Sequence, residues 1–106
     1  DATNLPYSDN EFDYCYSIGS LEHFTLEGIN NFLISSQRVT KKISFHMIPV
    51  SKSNLDEGWI ENYQSYFNNS LDWWLSICQK HFNNIEVIDS GWEDEISTGK
   101  WLILSK

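Results

Sequence analysis

From Phe12 to Ile18 the chain runs through aromatic and apolar residues over the length of one strand, and Gly19-Ser20 ends the run. The hydrophobic period then changes. Thr25 is placed to cap a helix whose apolar positions Leu26, Ile29, Phe32 and Leu33 follow helical spacing. Glu27 suits the positive end of that helix, Val39 closes it, and Lys41-Lys42 favour its negative end. Lys42 to Val50 reads as a second strand, and Pro49, which has no N–H to give to a ladder, is expected to stop it. Strand, helix and strand in one unbroken stretch put the chain in the α/β class.

Ser51 to Gly58 is polar and turn-rich, a surface excursion. Trp59-Ile60, Tyr63 and Tyr66-Phe67 then suggest a short helix or an irregular aromatic segment. Asn68-Asn69-Ser70 breaks that pattern; it satisfies a glycosylation sequon formally, and reads as the cap of a better helix with Leu71, Trp74, Leu75, Cys78 and Phe82 on one face. Trp73 sits about 100° around that helix from Trp74, so the two cannot both enter one core. Ile85 to Trp92 and Lys100 to Ser105 read as two final strands, joined through Glu93-Asp94-Glu95 and Ser97-Thr98-Gly99.

The chain's 106 residues fit one small domain, 1–106, and 41% hydrophobic residues suffice for its core. Seven basic against fifteen acidic residues give a net charge of −8, which disfavours nucleic acid and anionic membrane surfaces as partners. No apolar run approaches the roughly 20 residues of a membrane span, and a cytoplasmic location is expected. Cys15 and Cys78 lie in apolar surroundings and are expected to be free thiols.

Asp1-Ala2, Leu5-Pro6-Tyr7, the acidic turn Ser8 to Glu11, Phe12-Asp13 with its apolar strand, and Leu21-Glu22-His23 stand in one order and spacing. That series resembles the middle of a class I S-adenosylmethionine-dependent methyltransferase domain, of the methyltransferase type 11 kind. The resemblance implies a partial Rossmann-like sheet made of the family's fourth to seventh strands, the last one antiparallel, with two or three helices. The family's glycine-rich cofactor loop has no counterpart here, since no Gly-x-Gly cluster occurs. The chain is therefore expected to be the carboxyl-terminal half of such a domain. One departure is Val39-Thr40-Lys41-Lys42, where the family often has Leu-Lys-Pro-Gly-Gly before its fifth strand.

The resemblance also implies site residues. Asp1 and Ala2 match the position that holds the adenine of S-adenosylmethionine, through a carboxylate and the next backbone N–H. Ser17, Ile18 and Gly19 end the first strand, where open α/β sheets place their ligands, and Gly19 would let backbone approach the methionyl portion; a plain strand-to-helix turn is the other reading. His23 is the candidate catalytic base beside Glu22, unless the pair only starts a helix. Trp59, Tyr63 and Trp73 are candidate substrate-binding residues, as an aromatic wall, against ordinary packing. His46 and His81 have no second ligand at metal spacing, so no metal site is expected.

The implied function is part of a methyltransferase that uses S-adenosylmethionine on a small-molecule acceptor, incomplete and inactive as this chain alone. The alternative is a stand-alone half-domain serving as a protein-interaction module. Without the strand that would flank Phe12 to Ile18, the chain is expected to form a homo-oligomer, most simply a dimer across that edge.

Overall fold

A computed structural model describes residues 6–61 and 65–106. Strand β1 (Phe12–Ile18) leads through a short 3-10 turn at Leu21–His23 into helix α1 (Leu26–Val39). β2 (Thr40–Ser51) follows without a loop. A two-residue ribbon, β3 (Trp59–Ile60) with β4 (Tyr66–Phe67), precedes helix α2 (Leu71–Cys78), β5 (Asn84–Glu93) and β6 (Ser97–Ser105). The sheet order is β1-β2-β6-β5. β1 runs parallel to β2, and β6 inserts antiparallel to both β2 and β5.

Local chemistry accounts for the helices. Thr25 caps α1, its Oγ1 accepting from the Gly28 amide at 3.0 Å, and Ser70 caps α2 by accepting from the Trp73 amide at 3.2 Å. Along α1 the buried residues Ile29, Phe32, Leu33, Ser36 and Val39 recur at helical spacing, while Leu26 and Ile34 face solvent. α2 buries Trp74, Ile77 and Cys78. Both helices pack on one face of the sheet, where Ile48, Val50, Leu102 and Leu104 complete the core. Trp74 is wholly buried and Trp73 only partly, as their angular separation requires.

Among the described residues, no helix covers the opposite face. Tyr14, Tyr16 and Ile18 on β1 pair across to Ile43, Phe45 and Met47 on β2, and these meet Ile103 and Trp101 on β6. The β1 members of this apolar surface are exposed, Tyr16 at 72%.

Two expectations are corrected. The segment from Trp59 to Phe67 forms a ribbon at its described ends, because Trp59 pairs with Phe67 and Ile60 with Tyr66, and not a helix. β2 passes through Pro49 and ends at Ser51. The Gly19 amide donates to the Met47 carbonyl, so odd-numbered residues of β2 turn their backbone groups toward β1. β1 has already ended at Ile18, so no partner strand asks Pro49 for the missing N–H. The sequon is internal: Asn68 and Asn69 are buried, and Asn68 Oδ1 accepts from the Ser97 hydroxyl at 2.7 Å.

His46 lies in the core, its Nδ1 2.7 Å from the Ser17 hydroxyl and its Nε2 without a partner. Burial pushes its pKa from 6.5 down to about 4. The unfolded chain therefore binds this proton more readily than the folded one. The neutral ring's contribution is complete above pH 6.5 and is lost as pH falls toward 4, a loss of about 3 kcal/mol. Urea midpoints measured from pH 7.5 to 4 should fall more steeply for the native chain than for His46→Leu; parallel curves would remove His46 as the cause.

Candidate functional site

The site is built where β1 stops. Gly19 leaves the strand at a φ of 64°, a left-handed conformation that glycine adopts without strain, and turns the chain away from β2. The edge of β2 at Met47 to Pro49 is thereby uncovered and forms one wall of a cavity of about 360 Å³. Glu22 and His23 from the 3-10 turn line it from one side, and Tyr66 from the ribbon lines it from another.

The remaining wall comes from a bulge. Between the pairs Asp89–Lys100 and Glu93–Thr98, β5 carries extra residues opposite Gly99. Asp89 accepts from the Gly91 amide and Ser90 from the Trp92 amide, which holds the bulge. Gly91 takes a φ of 80° within it. A Cβ on Gly99 would collide with the Ser90 hydroxyl, so the bulge needs glycine opposite it. The result brings Trp92 and Asp94 to the cavity. Asp94 is held in place by accepting from the amides of Ile96 and Ser97 at 2.9 and 2.8 Å.

His23 is oriented by a long-range contact: its Nδ1 lies 2.7 Å from the Ser65 carbonyl oxygen. A carbonyl only accepts, so Nδ1 carries the proton and Nε2 is left with a lone pair. Nε2 stands 3.8 Å from Glu22 Oε2. Glu22 is only 6% exposed, and its Oε1 is buried with no hydrogen-bond partner. Burial raises its pKa above the ordinary carboxyl range, against smaller opposing effects of its own backbone and of His23.

A second, more open groove follows the end of β1 on the helix side. It is lined by Cys15, Tyr16, Ser17, Ile18, Gly19 and Ser20, with His23, Phe24 and Phe32. Gly19 and His23 belong to both spaces.

Of the residues singled out from sequence, Ser17, Ile18, Gly19 and His23 are thus brought together. The Ser17 hydroxyl is engaged with His46, and its backbone groups face β2, so at this strand end it is Ile18 whose backbone turns to the open side. Asp1, Ala2 and Tyr63 lie outside the described residues. Trp59 and Trp73 both pack on Phe67, with ring centroids 5.1 Å away in each case, and line neither space. Trp92 and Asp94 escaped the sequence reading, where they counted as strand end and acidic loop. An aromatic residue beside an acidic turn was the available signal. His81 Nε2 pairs with Asn30 Oδ1 at 2.7 Å, between helix α1 and the turn after α2. Both cysteines are free, and burial pushes the Cys78 thiol up to about 12. Among the described residues no three His, Cys, Asp or Glu side chains are grouped to hold a metal ion, and no helix is long and apolar enough to cross a membrane.

Solved structures share the fold. A S-adenosylmethionine-dependent methyltransferase of Methanosarcina mazei superposes with a TM-score of 0.74 at 12% identity, over 100% of this chain and 66% of that one. An N-methyltransferase of Haemonchus contortus, solved with phosphomonomethylethanolamine and S-adenosylhomocysteine, gives 0.71 at 14% identity over 100% of this chain and 36% of its own. The fold is thus that of a partial Rossmann-like methyltransferase sheet. In sequence, the chain is 27% identical to alpha-mannosidase D of Dictyostelium discoideum, over 89% of this chain but 8% of that protein. The chain spans less than two thirds of the length of each of these proteins. The THAP domain family model matches residues 22–103. The fold match covers the whole chain, including β1 and the turn that build the site. By its sequence match over residues 22–103, the chain belongs to the THAP domain family.

Proposed function

We propose that the chain is the carboxyl-terminal, acceptor-side part of a class I S-adenosylmethionine-dependent methyltransferase acting on a small molecule. The observation that carries this reading is the shared wall: Gly19 and His23 line both the groove at the end of β1 and the cavity beyond it. A cofactor in the groove and an acceptor in the cavity would meet at that wall, and holding two reactants together is the larger part of such catalysis. The groove suits the cofactor, because it opens at the carboxyl end of a parallel strand and Gly19 presents backbone there with no side chain. The strand end Ser17, Ile18 and Gly19 would hold the methionyl portion, chiefly through the outward backbone groups of Ile18, and Asp1 with Ala2 the adenine. The acidic balance of the chain supports a small acceptor over a nucleic acid. Two free thiols fit a reducing compartment, the cytoplasm.

When bound, S-adenosylmethionine supplies a methyl group on a sulfonium sulfur, which keeps the bonding electron pair as the acceptor's lone pair takes the methyl. His23 Nε2, freed as an acceptor by the Nδ1–H donation to Ser65, takes the proton that the methyl acceptor gives up. Tyr66, Trp92 and Pro49 wall that exchange from water.

Calorimetric titration of S-adenosylmethionine should give little or no binding to this chain alone. A protein carrying it behind an apolar strand and glycine-rich loop should bind, and absence of binding there would sink the assignment. In that longer protein, His23→Ala should lower turnover about 10²-fold with cofactor affinity nearly unchanged; equal turnover would leave His23 a structural residue of its turn.

The exposed β1 edge favours a second reading, association with another copy of the chain. An antiparallel two-fold pairing centred on Cys15 sets Tyr14 against Tyr16 and Phe12 against Ile18, so apolar side chains meet apolar ones. Sedimentation equilibrium should find a dimer that Tyr16→Lys converts to monomer. A native chain that sediments as a monomer would reject it.

A further inference from the structure

The cavity beyond β1 holds an unusual set of groups for its size. Glu22 is 6% exposed, and its Oε1 is buried with no hydrogen-bond partner while the residue lines the cavity. A buried, unsatisfied carboxyl oxygen costs about 1–3 kcal/mol or more, and a cation in the cavity beside this carboxyl would offset that cost through its charge. Asp94, fixed by two backbone amides, brings a second carboxylate to the same space. No lysine or arginine is among the lining residues to compensate either one. Tyr66 and Trp92 are among the lining residues, and an aromatic face attracts a cation.

We infer that this cavity binds a small amine in its ammonium form, with Glu22 and Asp94 accepting its N–H donors and Trp92 and Tyr66 receiving the charge on their ring faces. The inference deepens the methyltransferase reading, on which the amine's role as acceptor rests, by assigning the acceptor's chemical class; to accept a methyl group the bound ammonium would first give one N–H proton to His23 Nε2, which frees its lone pair. An anionic acceptor would meet two carboxylates, with His23 the one lining side chain able to carry a countercharge, and a neutral alcohol would leave the pair without a cation. The raised pKa of Glu22 accords with this: a cation beside it supplies the countercharge that burial denies it.

Binding is testable on the chain itself, without cofactor or turnover, so this test can fail while the cofactor titration succeeds, and the reverse. The probes are phenethylamine, 2-phenylethanol and phenylacetate, titrated at pH 7 while the Trp92 indole N–H and the Gly19 and Gly99 amides are followed by ¹H–¹⁵N correlation spectra. Phenethylamine should shift these signals with an affinity about tenfold or more above that of 2-phenylethanol, and phenylacetate should bind most weakly. Glu22→Gln, nearly isosteric, should erase the preference for the amine while the dispersion of the amide spectrum is kept. Asp94→Asn, which retains the oxygen accepting from Ile96 and Ser97, should reduce it and covers the case in which Glu22→Gln fails to fold. Equal binding of amine and alcohol, tighter binding of phenylacetate, no shift with any probe, or an amine preference that survives in both folded variants would overturn the inference.

Discussion

The pairing of β2 with β6 is the contact on which the other elements depend. Residues Ile43 to Ser51 run antiparallel against Ser97 to Ser105, and the two strands supply Ile48, Val50, Leu102 and Leu104 to the buried face. Both helices close over that face, with Trp74 and Leu33 wholly buried against it. Burial of such side chains stabilises by about 2 kcal/mol each. β1 and β5 add the outer edges to this pair, and because both helices lie on one face, that face is the packed core among the described residues.

The site is a consequence of strands of unequal length. β1 stops at Ile18, whereas β2 continues to Ser51, and the difference leaves a step at Met47 to Pro49. On the far side, the β5 bulge brings Trp92 over Gly99. The ribbon completes the enclosure, since Ser97 Oγ bonds Asn68 and approaches Tyr66 OH at 3.3 Å. The cavity therefore draws on parts of the chain separated by up to eighty residues, held by hydrogen bonds between buried groups whose loss would leave donors or acceptors unpaired.

The histidines show how the same side chain takes three roles by placement. His46 is sealed in the core and held neutral by desolvation. His81 bridges to α1 through Asn30. His23 alone lines the cavity, with its tautomer set by a carbonyl forty-two residues away.

By itself the sequence determined the elements that local chemistry controls. Thr25 and Ser70 cap helices because their hydroxyls accept nearby amides, and the spacing of Ile29, Leu33 and Trp74 marks the buried stripes. The strand Phe12–Ile18, the turn at Gly19 and the methyltransferase-like order were legible for the same reason, each resting on neighbours in the chain. Tertiary structure decided what depends on distant partners. Pro49 sits inside a strand only because β1 has ended beside it, and the ends of the Trp59 to Phe67 segment pair as a ribbon where Asn69 Oδ1 accepts from the Gly58 amide and Asn68 Oδ1 accepts from the Ser97 hydroxyl of β6. Trp92 and Asp94 join Glu22 in one cavity only after the bulge opposite Gly99 is formed, and no local rule of propensity or spacing links residues seventy positions apart.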